Sequence, residues 1–239
     1  MDGFTLVVGR KGRRGRKGKS SVVAGEREEE EEVTPQQIAS LRASIRTWEQ
    51  RLSRTELFAK LPGMLPEGIT GMVCFGLGRL STYRSLVQLA LLLLLRTTLG
   101  REMEVVYFDP SHSLLDHVVM GELGLVRLEQ GNDEGRFTLD SPKVLYFMPH
   151  CDRWLYSNLL EHNRLGLERV VVLGNSLRGY CDRDDRTRDA LPELLPRMQE
   201  TMFVLREDGE VMDNTILFES FNDIGITTFT FNSEAISDC

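Results

Sequence analysis

The chain has 239 residues, of which 41% are hydrophobic and 27% are charged, as is ordinary for a soluble globular protein. Its formal net charge of −7 argues against a folded domain whose main partner is nucleic acid. The four cysteines include no CxxC pair, which argues against a disulfide framework and favours a reducing compartment.

The first 33 residues have the composition of a disordered tail. Residues 10–19, RKGRRGRKGK, are mostly basic, and residues 26–32, EREEEEE, are almost entirely acidic. Neither block has enough apolar surface to offset the entropy lost on ordering, so residues 1–33 are predicted to be disordered. The basic block is either half of a solubilising tail or a run that contacts nucleic acid or directs nuclear import, and both interpretations stay open.

Order is predicted to begin with an amphipathic helix after Thr34. Thr34 suits the N-cap, Pro35 suits the first helical position, and Gln37 completes a capping box. The apolar residues that follow at helical spacing are Ile38, Leu41, Ile45, Trp48 and Leu52. Residues 34–64 are therefore interpreted as this helix and a linker, broken by Pro and Gly within 61–66 before a folded domain at 65–239.

Apolar segments of this chain are too short to cross a membrane. The longest run, Leu89–Leu95, falls well below the ~20 residues that a spanning helix needs. The N-terminus lacks the long apolar stretch of a secretory signal. We therefore expect no secretory signal and no membrane partner.

From residue 70 onwards, short apolar strands alternate with helices. Strands are predicted at Met72–Phe75, Glu104–Phe108, Val126–Leu128, Lys143–Met148 and Arg169–Leu173, and helices at Thr82–Leu99, Ser113–Glu122, Asp152–His162 and Thr187–Met202. The alternation favours an α/β fold of the Rossmann-like type, with a mainly parallel sheet between two layers of helices. Residues 129–135 are predicted to form a polar turn or small hairpin. Asn214–Phe221 and Ile226–Phe231 are predicted as late antiparallel strands.

A glycine turn between the first strand and its helix is the first candidate binding element. The segment VCFGLGRLS, residues 73–81, is typical of a strand, a turn and a helix start that presents backbone N–H groups to an anion. Gly76 and Gly78 permit close approach of the backbone, and Ser81 is expected to be the helix N-cap. The third glycine of the dinucleotide fingerprint is absent because Ser81 occupies its place. The motif therefore indicates the fold more than any particular nucleotide.

Polar segments follow four predicted strands, and ligands bind at such carboxyl ends in an open parallel sheet. The residues expected to line a shared crevice there are Gly76, Gly78, Arg79, Ser81, Asp109, His150, Asn175 and Ser176. Asp109 either accepts from ribose hydroxyls or is a turn or capping residue before Pro110. Arg79 either pairs with a phosphate or carboxylate, or is a solvated charge at the helix start. His150 is expected to contact a ligand or cap a helix.

The sequence contains no complete catalytic constellation. His150 and Cys151 are adjacent at a strand end and point in opposite directions, which disfavours a nucleophile pair. Ser176 does not lie in a G-x-S-x-G elbow. The histidines and cysteines show no recognised metal-ligand spacing, and no Cys-Pro dipeptide indicates haem binding. The cofactor is therefore unknown, no metal is predicted, and enzymatic activity is left open.

Several segments in order resemble the sensitivity-to-red-light-reduced (SRR-like) domain family over about residues 65–231. They are FGLGRLSTYRSLVQLALLLLL, VVYFDP, LYFMPHCDRWLYSNLLEHN, VVLGNSLRGY and FESFNDIGITTFTF. The resemblance implies a eukaryotic regulator connected with circadian-clock gene expression and, in animals, with haem biosynthesis. It also implies a mainly cytoplasmic location with some nuclear presence, and it brings no agreed reaction or catalytic residues.

Three hypotheses follow. The first is a regulator, with protein partners, built on a Rossmann-like domain that has a crevice for a nucleotide-like ligand; no motif supports haem as that ligand. The second is an enzyme that uses S-adenosylmethionine or a dinucleotide, most simply a methyltransferase, since that fold uses a glycine turn after strand one and an acid after strand two. The third is an RNA or chromatin adaptor acting through the basic tail.

Overall fold

A mainly parallel β-sheet lies at the centre of the structure, a computed structural model that describes residues 33–128, 134–183, 189–205 and 214–230. The strands within these ranges are β1 (Gly71–Phe75), β2 (Glu104–Phe108), β3 (Val126–Arg127), β4 (Val144–Met148), β5 (Val170–Asn175), β6 (Met198–Met202) and β7 (Ile224–Phe229). Their order is β3-β2-β1-β4-β5-β7-β6. Strand β7 is antiparallel to both of its neighbours, and the pairs from β3 to β5 are parallel.

Helices cover both faces of this sheet, which makes the three layers that the alternating pattern predicts. They are α1 (Pro35–Leu52), α2 (Glu56–Met64), α3 (Tyr83–Leu99), α4 (Leu114–Glu122), α5 (Arg153–His162), α6 (Leu177–Arg183), α7 (Leu191–Leu194) and α8 (Asn214–Phe221). Successive side chains of β1 alternate between two cores, since Met72 and Cys74 join one cluster and Val73 and Phe75 join the other. All five residues of β1 are buried, as expected of a parallel strand covered on both faces.

The first helix forms as predicted. The Thr34 hydroxyl accepts from the Gln37 N–H at 3.3 Å, and the Gln37 side-chain oxygen accepts from the Thr34 N–H at 2.8 Å. These reciprocal bonds satisfy N–H groups that have no partner within the helix. Ile45 and Leu52 are buried in the same core as α3 and α4, so α1 packs on its own domain.

The break before the first strand comes later than predicted. Helix α2 runs through Pro62 and ends at Met64, and the chain turns at Leu65. This helix was not predicted. Thr55 caps it by accepting from the Phe58 N–H, and Leu57 and Leu61 are buried. Burial of these leucines offsets the hydrogen bond that Pro62 cannot donate.

The last third of the domain differs most from the prediction. The predicted helix Thr187–Met202 is wrong, because its described part contains the four-residue α7, a 3-10 turn at Leu195–Arg197 and strand β6. Pro196 has no N–H with which to continue a helix. The predicted strand Asn214–Phe221 is also wrong: it is helix α8, whose buried Leu217 and Phe221 lie four residues apart on one face.

The predicted C-terminal antiparallel strand exists, but its partners differ from the expected one. Strand β7 pairs with β5 and β6 rather than with residues 214–221. Helix α6 was not predicted. Residues 1–32 and 129–133, where a disordered tail and most of a polar turn were predicted, lie outside the described residues.

Helix α3, which contains the leucine run, lies in the core against the sheet. In the described part of the chain, no helix combines the length and apolarity needed to cross a membrane.

The strand order sets the position of a binding crevice. Strands β1 and β4 are neighbours, and from this pair the chain proceeds outward to β2 on one side and to β5 on the other. In open α/β sheets, ligands bind outside the carboxyl ends of the strands at such a switch point. The loops after β1, β2, β4 and β5 all lie at this end, and they carry the predicted site residues.

Candidate functional site

The glycine turn follows β1 and leads into α3. Gly76 has φ +69° and Gly78 has φ +77°, in the left-handed region where glycine is favoured. Gly76 is exposed at the switch point. A methyl group on Gly78 would lie 2.9 Å from the Ser85 hydroxyl oxygen, so the turn is packed closely against the first turn of α3.

Ser81 is not the N-cap of α3. Thr82 takes that role, with φ −97° and ψ 141°, and its hydroxyl accepts from the Ser85 N–H at 3.2 Å. Ser81 is exposed and lies one residue before the cap. The prediction was wrong by one residue because both side chains can cap a helix, and only the backbone path shows where the helix begins.

The Asp109 carboxylate binds the glycine turn. Its Oδ2 accepts from the Gly78 N–H at 2.7 Å, and its Oδ1 accepts from the N–H of Ser111 at 2.8 Å and from its hydroxyl at 2.6 Å. These contacts show the turn role that was one of the two interpretations of Asp109. They occupy three of about four acceptor positions of a carboxylate. Contact with ribose hydroxyls stays a prediction.

Two further contacts join the loop after β2 to the glycine turn. The Arg79 Nε–H donates to the Ser111 carbonyl at 2.8 Å. This exposed side chain is therefore hydrogen-bonded to another loop of the protein. His112 Nε2 lies 3.1 Å from the Gly78 carbonyl and donates to it, since a carbonyl only accepts. His112 stands in the polar segment that follows β2, but no role was predicted for it from the sequence.

The Asp109→Asn variant is expected to lose about 1–2 kcal/mol of folding stability. An amide presents its NH₂ group either to the Gly78 N–H or to Ser111, and it replaces charge-assisted bonds by neutral ones. Urea denaturation at pH 7.5 would measure the loss against Asp140→Asn, an exposed aspartate for which little change is expected. Equal stabilities of the two variants would show that Asp109 does not hold the turn.

His150 occupies the loop after β4 in a left-handed conformation, with φ +59°. Its N–H donates to Asn175 Oδ1 at 2.6 Å, and its Nε2 lies 3.1 Å from the Ser220 carbonyl at the end of α8. The buried Gln88 side chain donates to the same carbonyl at 3.1 Å. His150 thus caps the C-terminus of α8, which is one of its two predicted roles. The ligand-contacting role stays a prediction.

Asn175, at the end of β5, belongs to a buried network. The fully buried Tyr156 hydroxyl donates to the Met148 carbonyl and accepts from the Asn175 N–H at 3.0 Å. The side chain of Asn175 accepts from His150, as described above. The Tyr156 hydroxyl therefore joins the ends of β4 and β5. The sequence pattern alone did not distinguish Tyr156 from an ordinary aromatic residue of the core.

Ser176 is engaged in starting α6. Its hydroxyl accepts from the Gly179 N–H at 2.9 Å and donates to Glu200 Oε2 at 2.9 Å. Glu200 Oε1 accepts from the Leu177 N–H at 2.7 Å. The two side chains together satisfy N–H groups at the helix start. Contact of Ser176 with a ligand stays a prediction.

Cys151 connects the loops after β1 and β4. Its thiol lies 3.4 Å from the Phe75 carbonyl and donates to it, and a methyl group on Gly76 would lie 2.5 Å from its sulfur. Burial, with smaller contributions from nearby Cys74 and Asp109, raises the pKa of the Cys151 thiol well above its usual value. A thiol of this kind stays protonated and packs as a small apolar group, so it lacks the properties of a nucleophile.

Three histidines of the described residues have pKa values below the ordinary value of histidine. Burial is the main cause for His112, His117 and His150, and the Arg127 and Arg84 guanidinium groups lower the pKa of His117 and His150 further. His117 Nδ1 is hydrogen-bonded to the Tyr107 hydroxyl at 3.0 Å. Nδ1 of His112 is buried without a hydrogen-bond partner among the described residues, so protonation there would bury an unpaired donor.

We expect folding stability to fall as the pH decreases below about 6.5, the ordinary pKa of histidine. The unfolded chain takes up protons at that pH, whereas the folded histidines resist protonation until the pH is lower. Stability therefore increases with pH across this interval and levels off above it. Urea midpoints between pH 5.5 and 7.5 would test this, and His112→Gln should make the slope shallower. A midpoint that rises as the pH falls would contradict the prediction.

Two grooves of the described part of the chain lie away from the predicted site residues. One, with an empty volume of about 890 Å³, lies along α1 and is lined by Ile38, Arg42 and neighbouring residues. Another, with an empty volume of about 360 Å³, lies between α2 and Phe203–Leu205. Within the described ranges, no three His, Cys, Asp or Glu side chains are close enough together to hold a metal ion.

The sheet order, the glycine turn and the polar strand ends define a protein of the Rossmann-like α/β class. The SRR1 domain family model matches residues 44–228, so the chain belongs to the SRR1 domain family. This match begins inside α1, earlier than the region from residue 65 that carries the resemblance.

Two curated relatives agree with this membership. The mouse "SRR1-like protein" is 33% identical over 145 residues, which cover 56% of this chain and 57% of the mouse protein. The Arabidopsis thaliana "Protein SENSITIVITY TO RED LIGHT REDUCED 1" is 36% identical over 115 residues, covering 46% of this chain and 40% of that protein. The chain thus spans about half the length of the curated relatives it matches.

Solved structures with a similar fold include methyltransferases. A putative O-methyltransferase from Klebsiella pneumoniae has a TM-score of 0.43 and 11% identity, and the match covers 84% of this chain and 93% of that one. The O-methyltransferase TomG from Streptomyces achromogenes, in complex with SAM, has a TM-score of 0.42 and 10% identity, with coverage of 83% and 92%. These similarities concern the fold and carry no argument about activity.

Proposed function

We propose that this chain is a regulatory protein that acts in circadian-clock gene expression and in the control of haem biosynthesis, through protein partners and a crevice for a nucleotide-like ligand. Membership of the SRR1 domain family supports the regulatory role. The name of the Arabidopsis relative refers to red-light sensitivity, which is in keeping with a light-response context for that protein. The protein acts mainly in the cytoplasm, with some nuclear presence.

This proposal rests on one observation: the polar groups at the strand ends interact with other groups of the protein itself. Asp109 binds the glycine turn, Ser176 and Glu200 start a helix, and the Cys151 thiol is buried with a raised pKa. A hydrolase or transferase needs an activated nucleophile or base beside an open substrate site. Among the described residues these groups stabilise the fold, which suits a binding domain better than a catalytic one.

Depletion of the protein in cells of its source would test the regulatory role. We expect altered amounts of clock transcripts and of transcripts for haem-synthesis enzymes, and restoration of both by the wild-type chain. Fluorescence of a tagged chain in the same cells would show the cytoplasmic and nuclear fractions. Unchanged levels of both transcript groups after depletion would refute the regulatory proposal.

An enzyme dependent on S-adenosylmethionine or a dinucleotide is the second candidate. It is favoured by the exposed, left-handed Gly76 after β1 and the acid Asp109 after β2. A ligand that binds only the folded state stabilises it by ~2.7 kcal/mol at 100 times its Kd. Thermal-shift measurements with S-adenosylmethionine, NAD(P), ATP and haem would detect this. The absence of a shift with all four would exclude this candidate.

The third candidate, an RNA or chromatin adaptor, depends on residues 10–19, which lie outside the described residues. Such binding would be electrostatic and would weaken steeply with salt. Deletion of residues 1–32 should then abolish salt-dependent RNA binding. Binding that survives the deletion would refute this candidate.

A further inference from the structure

We propose that His150 is a ligand-contacting residue whose Nδ1 accepts a hydrogen bond from a hydroxyl or amino group of a nucleotide-like ligand at the β1–β4 switch point. This inference rests on the ligand crevice of the proposed function, and it names the contact that the crevice makes. Four features of the structure support it: the backbone of His150, its ring tautomer, its position beside the glycine turn, and the charges around it.

The backbone of His150 is held in an unfavourable conformation. A φ of +59° is uncommon for residues other than glycine, although Asn, Asp and His adopt it more easily than most. The bond from the His150 N–H to the buried Asn175 Oδ1 fixes this conformation. Strained residues of this kind cluster at ligand sites, where the surrounding structure directs a side chain in a way that relaxed backbone would not.

The tautomer of the His150 ring follows from its partner. Nε2 faces the Ser220 carbonyl, which can only accept, so Nε2 carries the proton of the neutral ring. Nδ1 then has a free lone pair. None of the hydrogen bonds within the described part of the chain engages Nδ1, and His150 is exposed. The ring therefore presents an oriented acceptor to an incoming ligand.

The loop that carries His150 lies beside the glycine turn. Cys151 follows His150 directly, and its sulfur is so close to Gly76 that a methyl group there would lie 2.5 Å away. Gly76 is itself exposed. A ligand that rests on the exposed glycine at the β1–β4 switch point would therefore meet the loop that carries His150.

The charged groups that face His150 favour an anionic ligand with hydroxyl groups. Arg84, in the first turn of α3, is half exposed and makes a 3.6 Å ion pair with Glu219 of α8. Asp223, in the turn after α8, is bound to Arg183 at 3.3 Å. Burial and Arg84 lower the pKa of His150, while the Ser220 carbonyl and Asp223 raise it, and the sum keeps the ring neutral at pH 7. The cationic Arg84 and the start of α3 suit a phosphate or carboxylate, and neutral Nδ1 suits a hydroxyl.

Two substitutions of His150 separate its structural role from its ligand role. In His150→Gln, the side-chain NH₂ replaces Nε2–H and keeps the bond to Ser220, but the Nδ1 acceptor is lost. In His150→Asn, the side-chain oxygen replaces Nδ1, the bond to Ser220 is lost, and the left-handed backbone is well tolerated. The pair therefore removes one function at a time.

Calorimetric titration of ATP, NAD and S-adenosylmethionine into the full chain and both variants would test the proposal. We expect at least one of these nucleotides to bind the wild type, and His150→Gln to bind it at least tenfold more weakly than His150→Asn does. A failure of all three to bind the wild type, or equal binding by His150→Gln, would overturn the assignment. Transcript levels after depletion report on the regulatory proposal independently.

Nitrogen NMR of the wild-type chain gives a test that needs no variant to fold. The ¹⁵N shifts of the His150 ring should show protonated Nε2 and unprotonated Nδ1 at pH 7.5, and addition of the bound nucleotide should shift Nδ1 most. A ring protonated at Nδ1, or an Nδ1 shift that is insensitive to the nucleotide, would overturn the proposal.

Discussion

The Gly76→Ala variant is expected to lose about 2–5 kcal/mol of folding stability. A left-handed conformation costs a residue with a side chain ~1–2 kcal/mol. The added methyl group would also lie 2.5 Å from the Cys151 sulfur, and overpacking of a closely packed site costs ~1–3 kcal/mol. Urea denaturation followed by circular dichroism would measure the loss.

Two matched variants separate these causes. Gly68 has φ +83° with open space around its Cα, so Gly68→Ala should show the conformational cost alone. In Gly76→Ala combined with Cys151→Ala, the nearest Cys151 atom would be its Cβ at 4.0 Å, an ordinary contact. The double variant should therefore lose less folding stability than the sum of the losses of the two single variants. Strict additivity would show that Cys151 does not restrict the glycine turn.

The Tyr156→Phe variant is expected to lose about 3 kcal/mol, which lowers Tm by roughly 6–12 °C in a domain of this size. The missing hydroxyl would leave the Met148 carbonyl and the buried Asn175 N–H without their partner. Each unsatisfied buried group costs ~1–3 kcal/mol. Differential scanning calorimetry at pH 7.5 would measure the change.

Tyr180→Phe is the matched control for Tyr156→Phe. The half-buried Tyr180 hydroxyl donates to the Cys151 carbonyl at 2.6 Å, and water can replace part of this bond. Its removal should cost about 1 kcal/mol. If both variants were equally stable, Tyr156 would not be the centre of the network that joins β4 and β5.

The Rossmann-like core was predictable because its signals are local. Strands such as β2 (Glu104–Phe108) are short apolar runs, and α1 has a capping box and an apolar face at helical spacing. The errors lie where local pattern is ambiguous. Residues 214–221 have apolar residues at several spacings, and their helical state depends on packing Leu217 and Phe221 against the sheet. Strand β6 forms because β7 offers it a partner.

The predicted site residues were placed correctly at the carboxyl ends of four strands, but their contacts could not be predicted. Nothing in the residues near Asp109 indicates that its carboxylate receives the Gly78 N–H from another loop. His112 and Tyr156 were missed for the same reason, since their partners lie 34 and 8 residues away along the chain. Such pairings depend on the order of strands in the sheet, which sequence periodicity does not encode.

By itself, the sequence determined that the chain is an α/β protein with a glycine turn at Gly76–Gly78 and polar strand ends. These features follow from residue spacing, burial and the backbone freedom of glycine, all of which act over a few neighbouring residues. Only the tertiary structure decided that Asp109 holds the turn, that Cys151 lies against Gly76, and that His150 directs Nε2 to the Ser220 carbonyl, while Nδ1 has no hydrogen bond among the described residues. The physical reason is that a hydrogen bond between loops requires both ends to be placed within about 3 Å, which the folded sheet alone achieves.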